Sequence, residues 1–257
     1  MIADFLTLMP AWAFWTACAV ALFAGVVKGA IGFALPLILV SGLSLFLDPL
    51  IALGGLILPA LFSNVIQVFR YPLSEMKSAV REFWRFIVMV CVTILIVTQF
   101  VALLPEHAFY LVLGVPVMGL SLVQLFGWRM TIPPERRRAA EWGIGGMAGF
   151  LGGITGSWGP PTVLYLMALN TSKARQLLVQ GVVYSLGGVS LVAGHLQSGV
   201  LNGSTSVFSA LLLVPTVLGM VVGFRIGDRL DAERTRKIIL IVLVIAGANL
   251  IRRGIFG

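Results

Sequence analysis

The apolar positions of this 257-residue chain fall into long runs whose ends are marked by charge. Residues 11–47 form a 37-residue run whose only charge is Lys28. Further runs cover 49–69, 83–104, 108–128, 142–169, 176–196, 205–224 and 238–251. A helix that spans the hydrocarbon core of a bilayer needs about 20 mostly apolar residues, so most of these runs fit one crossing. The last run is short by that measure. Its helix is expected to start in the basic stretch 234–237, with the long side chains reaching outward. The pattern predicts an all-α integral membrane protein.

Two runs, 11–47 and 142–169, do not fit a single straight crossing, and each holds spaced glycines followed by proline. Gly25, Gly29, Gly32 and Pro36 match Gly149, Gly153, Gly156 and Pro160 at a constant offset of 124. A repeat of half the chain length is therefore built in. Glycine and proline at this density break a helix, and broken backbone at membrane depth must be buried in protein or line a cavity. Small residues four apart also let membrane helices approach closely, and Gly25/Gly29, Gly149/Gly153 and Gly219/Gly223 have that spacing.

Charge decides between a bent crossing and a hairpin that turns back. Basic residues cluster at 70–85, at 129–138, at Lys173 and Arg175, and at 225–237, whereas 105–107 and 197–204 hold no Lys or Arg. If 142–169 crosses fully, two of the basic clusters fall on the wrong side of the positive-inside rule. If it enters and returns, all of them share the cytoplasmic side, and only Arg252 and Arg253 dissent. The same treatment of 11–47 makes each half one re-entrant or broken helical hairpin plus three transmembrane helices. An odd number of crossings inverts the second half. The expected organisation is a first repeat at 1–128, a basic cytoplasmic linker at 129–141 and a second repeat at 142–257. Inverted repeats with broken helices at the midplane are a transporter arrangement.

Composition narrows the class. Hydrophobic residues make up 59% and charged residues 11%, too few charges to cover a soluble globule. The net charge of +8 sits between the apolar runs, where cytoplasmic Lys and Arg are expected, so no nucleic-acid partner is implied. Cys18 and Cys91 lie in apolar runs without CxxC spacing, and they read as packed apolar residues. No metal or cofactor is expected. The N-terminus lacks a basic segment ahead of its apolar run, so no cleaved signal peptide is expected.

Position matters more than number for the charges. Lys28 is the only charged side chain well inside an apolar run, and a lysine at that depth calls for a cavity, a partner or a substrate. All ten acidic residues lie in loops or at segment ends, so no carboxylate is expected at depth for a cation or a proton relay. What remains at the midplane is one cation, glycine-exposed backbone and the N-terminal ends of half-helices after Gly32 and Gly159, a set suited to anions. The candidate binding residues are Lys28, Gly29, Gly32, Asn64, Gln67, Gly153, Thr155, Gly156, Ser157, Trp158 and Gln180. Ser63, Asn64 and Gln67 share one helix face, as do Gln180 and Tyr184. His107 and His195 stand at segment ends, where interfacial roles are expected. The chain offers no nucleophile–base pair, no catalytic residue is assigned, and an enzyme is not expected.

The paired glycine–proline motifs, carried by Gly25, Gly29, Gly32, Pro36, Gly149, Gly153, Gly156 and Pro160, resemble the TauE/SafE family of sulfite exporters. The resemblance spans the chain. It implies a multi-pass permease of the bacterial inner membrane that moves sulfite or small organosulfonates, with the lipid bilayer and a small anion as its partners. A homo-oligomer is left open. The sequence departs from the glycine-rich second motif at Ser157 and Trp158, and a tryptophan beside the break is expected to shape the cavity. The competing readings are an uptake permease or channel for another small anion, and a membrane-embedded enzyme subunit.

Overall fold

A computed structural model describes residues 9–32, 34–127, 131–227 and 232–256. The sequence-assigned charges Asp4, Arg129, Asp228, Arg229 and Asp231 lie outside the described residues. The described chain is helical, with no strand: α1 (Ala11–Ile31), α2 (Leu35–Leu43), α3 (Pro49–Val68), α4 (Leu73–Val97), α5 (Glu106–Leu125), α6 (Arg137–Thr155), α7 (Gly159–Ala168), α8 (Lys173–Gln197), α9 (Gly203–Gly227) and α10 (Ala232–Phe256). Five of these are long and apolar enough to cross a membrane, over Ala11–Ala30, Pro49–Val68, Glu106–Leu125, Ala174–Gln197 and Gly203–Ile226. The helix α4 is as long, but it begins ten residues before the apolar run that announced it, because its first turns are amphipathic and charged.

Both glycine-rich runs are broken at the same position of the repeat. The first ends α1 at Gly32, in the left-handed region at φ +83°, with its N–H bonded to the Lys28 carbonyl at 2.8 Å. The second ends α6 at Gly156, at φ +68°, with its N–H bonded to the Gly152 carbonyl at 2.8 Å. A left-handed residue closing the last turn is a common helix stop, and glycine takes it without the penalty of a Cβ. Prolines at the starts of α2 and α7 then nucleate the next helix in a new direction.

The chain doubles back at each break. Trp12, at the start of α1, and Phe46, just past α2, have ring centroids 5.9 Å apart. Ile132, ahead of α6, donates its N–H to the carbonyl of Ala168 at the end of α7, at 3.1 Å. The pairs α1–α2 and α6–α7 are therefore helical hairpins whose ends meet.

Packing between helices comes in matched pairs. The helix α1 packs on α9 and α6 on α4; α3 packs on α9 and α8 on α4; α2 packs on α3 and α7 on α8; α10 packs on α2 and α5 on α7. The pairs α3–α8 and α5–α10 join each helix to its own counterpart. Exchanging α1 to α5 with α6 to α10 maps these contacts onto themselves. The directions follow from glycine contacts. Gly25 faces Thr216 and Met220, and Gly29 faces Met220 and Gly223, so α1 and α9 run parallel. Gly145, Gly149 and Gly153 face Met89, Thr93 and Val97 in turn, so α4 and α6 run parallel too. Gly188 meets Leu61 while Gly181 meets Val68, which makes α3 and α8 antiparallel. Gly114 meets Gly247 while Gly254 meets Leu111, which makes α5 and α10 antiparallel.

The two parallel interfaces differ in texture. What approaches Gly25, Gly29, Gly219 and Gly223 is backbone of the facing helix. What approaches Gly149 and Gly153 includes the Cβ atoms of Thr93 and Val97. Such close approach of helices needs glycine on at least one side. Elsewhere a side chain repairs broken backbone. Pro59 inside α3 leaves the Gly55 carbonyl without its helical partner, and Ser209 of α9 donates its hydroxyl to that carbonyl at 3.0 Å.

At one end of the bundle the starts of α4, α6 and α8 are tied by ion pairs. Glu141 is 1% exposed; it accepts from Arg85 at 3.3 Å, from Arg137 at 3.1 Å and from the Tyr165 hydroxyl at 3.3 Å. Glu82, which is 41% exposed, accepts from Arg175 at 2.7 Å and Arg137 at 3.5 Å. Tyr165 is stacked on Phe86, centroids 4.6 Å apart. Glu141 does stand at a segment end, as its place in the sequence indicates, yet it is buried. Arg253 at the other end has a local explanation: it donates to the Ser44 carbonyl and lies 4.8 Å from the centre of the Tyr110 ring.

Candidate functional site

The two breaks meet at a cavity of about 20 Å³ lined by Lys28 and Asn64 with Ala34, Trp158, Gly159 and Tyr184, among others. Space of that size holds one water molecule. Lys28 is 2% exposed. Its Nζ donates to the Gly32 carbonyl at 3.2 Å and to Asn64 Oδ1 at 2.5 Å, and it stands 5.5 Å from the centre of the Tyr184 ring. The carbonyl it takes is one that the break at Gly32 leaves outside the helical ladder. Among the described residues no carboxylate pairs with Lys28. Its partners are acceptors and an aromatic face, groups that hold an amine in place and carry no full negative charge.

Further contacts surround this amine, the first of them crossing between the halves. Asn64 Nδ2 donates to the Tyr184 carbonyl at 3.5 Å, and the Tyr184 hydroxyl donates to the Gly159 carbonyl at 3.1 Å. Tyr184 is edge-on to Trp158, centroids 6.2 Å apart. Trp158 is buried, its indole packed where a Cβ on Gly152 or Gly187 would stand.

The centre breaks the symmetry of the repeat by exchanging volumes. At the offset of 124, Lys28 corresponds to Gly152 and Ala34 to Trp158. In the first half the long side chain comes from the helix that ends and the small one from the segment that follows. In the second half the order is reversed. One break therefore supplies the charge, and the other supplies the aromatic wall.

The sequence-selected residues divide by what they touch. Lys28, Asn64, Gly156, Ser157 and Trp158 line the cavity, and the Gly32 carbonyl is bonded to Lys28. Gly29 and Gly153 instead face α9 and α4. Thr155 closes the end of α6, donating to the Leu151 carbonyl at 2.7 Å and accepting from the Ser157 N–H at 3.2 Å. Gln67 Nε2 donates to the Leu177 carbonyl at 3.2 Å, while Gln67 Oε1 and Gln180 Oε1 are buried without a hydrogen-bond partner. Tyr184 joins the lining in place of Gln180, which is one turn away on the same helix face; the shared face was legible, the depth was not. His195 is fully buried between α8 and its neighbours rather than interfacial, with Nδ1 3.3 Å from the Ser198 hydroxyl.

The helix ends contribute less than their position suggests. Pro160 and Pro161 occupy the first turn of α7, and Pro36 that of α2, so several of the N–H groups that would face an anion are absent. The dipoles of both half-helices remain. Lys28 is thus the main donor of the cavity.

A family model described as sulfite exporter TauE/SafE matches residues 17–250, nearly the whole chain. The chain belongs to the TauE/SafE family. Membership makes it a membrane protein of a sulfite-exporter family, in keeping with its apolar helices and with a transporter rather than an enzyme. No curated protein and no solved structure matched the chain. The matched span of this TauE/SafE chain takes in both breaks and the cavity between them.

Proposed function

We propose that the chain is a secondary transporter that exports small sulfur-containing anions, sulfite or an organosulfonate, by alternating access around the Lys28 cavity. One observation carries this reading: the cavity where the two breaks meet holds the buried amine of Lys28, and among the described residues no carboxylate pairs with it. A buried charge without a counter-charge is costly, and a substrate anion removes that cost while bound. Family membership supplies the direction and the sulfur chemistry.

In the membrane the halves are read as inverted repeats, 1–128 and 142–257, joined by the basic linker 129–141 on the cytoplasmic side of the inner membrane. The matched helix contacts and the antiparallel pairs α3–α8 and α5–α10 support that reading, because a two-fold axis in the membrane plane reverses a helix relative to its counterpart. The returning hairpins support it as well, since a chain that turns back at each break and crosses three times per half is expected to keep its basic clusters on one side.

The test is flux from proteoliposomes loaded in turn with sulfite, sulfate, thiosulfate, an organosulfonate and a potassium control. Saturable flux and counterflow of sulfite or the organosulfonate, without potassium flux, is expected. Equal movement of the cation, or anion flux without saturation, overturns the carrier reading.

A further inference from the structure

Asn64 of α3 meets the Lys28 amine and the main chain of α8 with opposite ends of one amide. Its Oδ1 accepts from Lys28 Nζ at 2.5 Å, and its Nδ2 donates to the Tyr184 carbonyl at 3.5 Å. The residue is 2% exposed. The Tyr184 carbonyl can only accept, so it draws the Nδ2 end toward itself and leaves the oxygen for Lys28. A lysine amine in its charged form has three donors, and among the described residues two are taken, by the Gly32 carbonyl and by Asn64. Both acceptors are neutral. This polar pair exists once in the repeat. The offset of 124 still holds in α3 and α8, where it matches the capping residues Asp48 and Ser172. It matches Asn64 with Gly188 as it matches Lys28 with Gly152, so both members of the pair are glycine in the second half. The aromatic pair behaves in the opposite way: Trp158 corresponds to Ala34 and Tyr184 to Ala60. Lys28 and Asn64 are thus present together in one half and absent together from the other.

We propose that Asn64 sets the sign of charge that the cavity accepts, by positioning the Lys28 amine with a neutral oxygen where an aspartate of the same size would neutralise it. The proposal rests on the anion reading above and assigns its charge selectivity to the amide at position 64. With the amide, Lys28 keeps its positive charge for the anion, and its remaining donor is the one the anion takes. With a carboxylate, an ion pair would hold the amine, and an arriving anion would meet a negative charge beside its seat. A carboxylate oxygen in place of Nδ2 would also face the Tyr184 carbonyl, acceptor against acceptor, so the main chain of α8 discriminates against the acid as well. Asn64 acts through Lys28 and is a positioning residue.

The experiment measures binding of sodium sulfite to the full-length protein in nanodiscs, at one pH and ionic strength, for the wild type, Asn64→Asp, Asn64→Leu and Lys28→Met, with size-exclusion profiles to check folding. Asn64→Leu keeps nearly the same shape without either polar atom, and binding about tenfold weaker is expected, the worth of one hydrogen bond to a charged group. Asn64→Asp is expected to bind at least about 100-fold more weakly than the wild type, because a full negative charge then stands beside the amine. The order of the two variants separates charge from structure. A merely structural amide is missed more in the leucine variant, which loses both hydrogen bonds. A charge-setting amide is missed more in the aspartate variant, which keeps the contact with Lys28. Sulfite binding in Asn64→Asp as tight as in Asn64→Leu, or tighter, overturns the proposal. If Asn64→Asp yields no folded protein, Asn64→Leu is judged against Lys28→Met. Binding tighter than in Lys28→Met is expected; binding no tighter makes Asn64 itself the seat of the anion and overturns the positioning role. If Lys28→Met binds sulfite as the wild type does, the anion reading itself falls and the role of Asn64 with it.

Discussion

The N–H of Ile132 is bonded to the carbonyl of Ala168, so the segment that leads into α6 and the end of α7 are held 3.1 Å apart at donor and acceptor. The 35 residues between them cannot carry the chain from one face of the bundle to the other. The helix that follows, α8, therefore leaves from the side at which α6 began. Cysteines placed at its two ends, Ser172→Cys and Gln197→Cys, are expected to react with a membrane-impermeant maleimide from opposite sides, with the first protected in intact cells. Labelling of both from one side removes the hairpin topology.

Lys28→Met keeps the length and apolar stem of the side chain and removes the charge. Sulfite flux in proteoliposomes is expected to fall at least 100-fold. Thermal stability in detergent should be equal to or above that of the wild type, because a buried charge without an ionic partner is no longer desolvated. Wild-type flux in this variant would place the anion somewhere other than the cavity.

The hydroxyl of Tyr184 ties α8 to the first residue of α7 through the Gly159 carbonyl, at 3.1 Å. Tyr184→Phe removes that bond and preserves the ring beneath Lys28. A loss of about 1 kcal/mol in stability is expected. Sulfite affinity should change less than it does in Lys28→Met, and parallel melts and binding isotherms check both.

Two glutamates in one ion-pair network should differ widely. Glu141 is buried while its partners Arg85 and Arg137 are about a third exposed, so Glu141→Ala removes three hydrogen bonds, two of them charge-assisted, and is expected to cost about 2–3 kcal/mol. Glu82 is 41% exposed, and Glu82→Ala is expected to cost less than about 1 kcal/mol. Denaturation of the two variants in the same detergent measures the difference. Equal losses would mean that burial does not govern the network.

Glycines should divide by what faces them. A Cβ at Gly219 meets the backbone of Leu22 and Val26, so Gly219→Val is expected to prevent α1 from seating on α9, with loss of folded protein in size-exclusion profiles. A Cβ at Gly119 meets nothing within 4 Å, so Gly119→Ala in α5 should be neutral or stabilising by up to about 1 kcal/mol.

The breaks, the repeat and the depth of Lys28 could all be read from the sequence, because glycine, proline and charge act locally and the offset of 124 aligns them. Other features depend on distances that periodicity does not carry. Gln180 and Tyr184 share a helix face, and only the height of α8 against α7 brings Tyr184 to the cavity. Gly29 and Gly153 belong to the motif, but they point at α9 and α4 because the side of α1 or α6 opposite the cavity is the one packed most closely. Glu141 and His195 stand at the ends of apolar runs, where exposure is the usual outcome, and neighbouring helix ends bury them both. The exchange of Lys28 and Ala34 for Gly152 and Trp158 was present in the sequence alignment of the two halves; it gains meaning only once both pairs are seen around one space.

The two parallel interfaces have unequal mechanical properties. Side chains of α4 lodge against the glycines of α6 and fix the register, so that axial displacement must lift Thr93 and Val97 out of their seats. The contact of α1 with α9 is backbone on backbone through Gly25, Gly29, Gly219 and Gly223, and has no teeth to disengage. Of the two hairpins, the one that bears Lys28 rests on a smooth track, and the one that bears Trp158 sits in a notch.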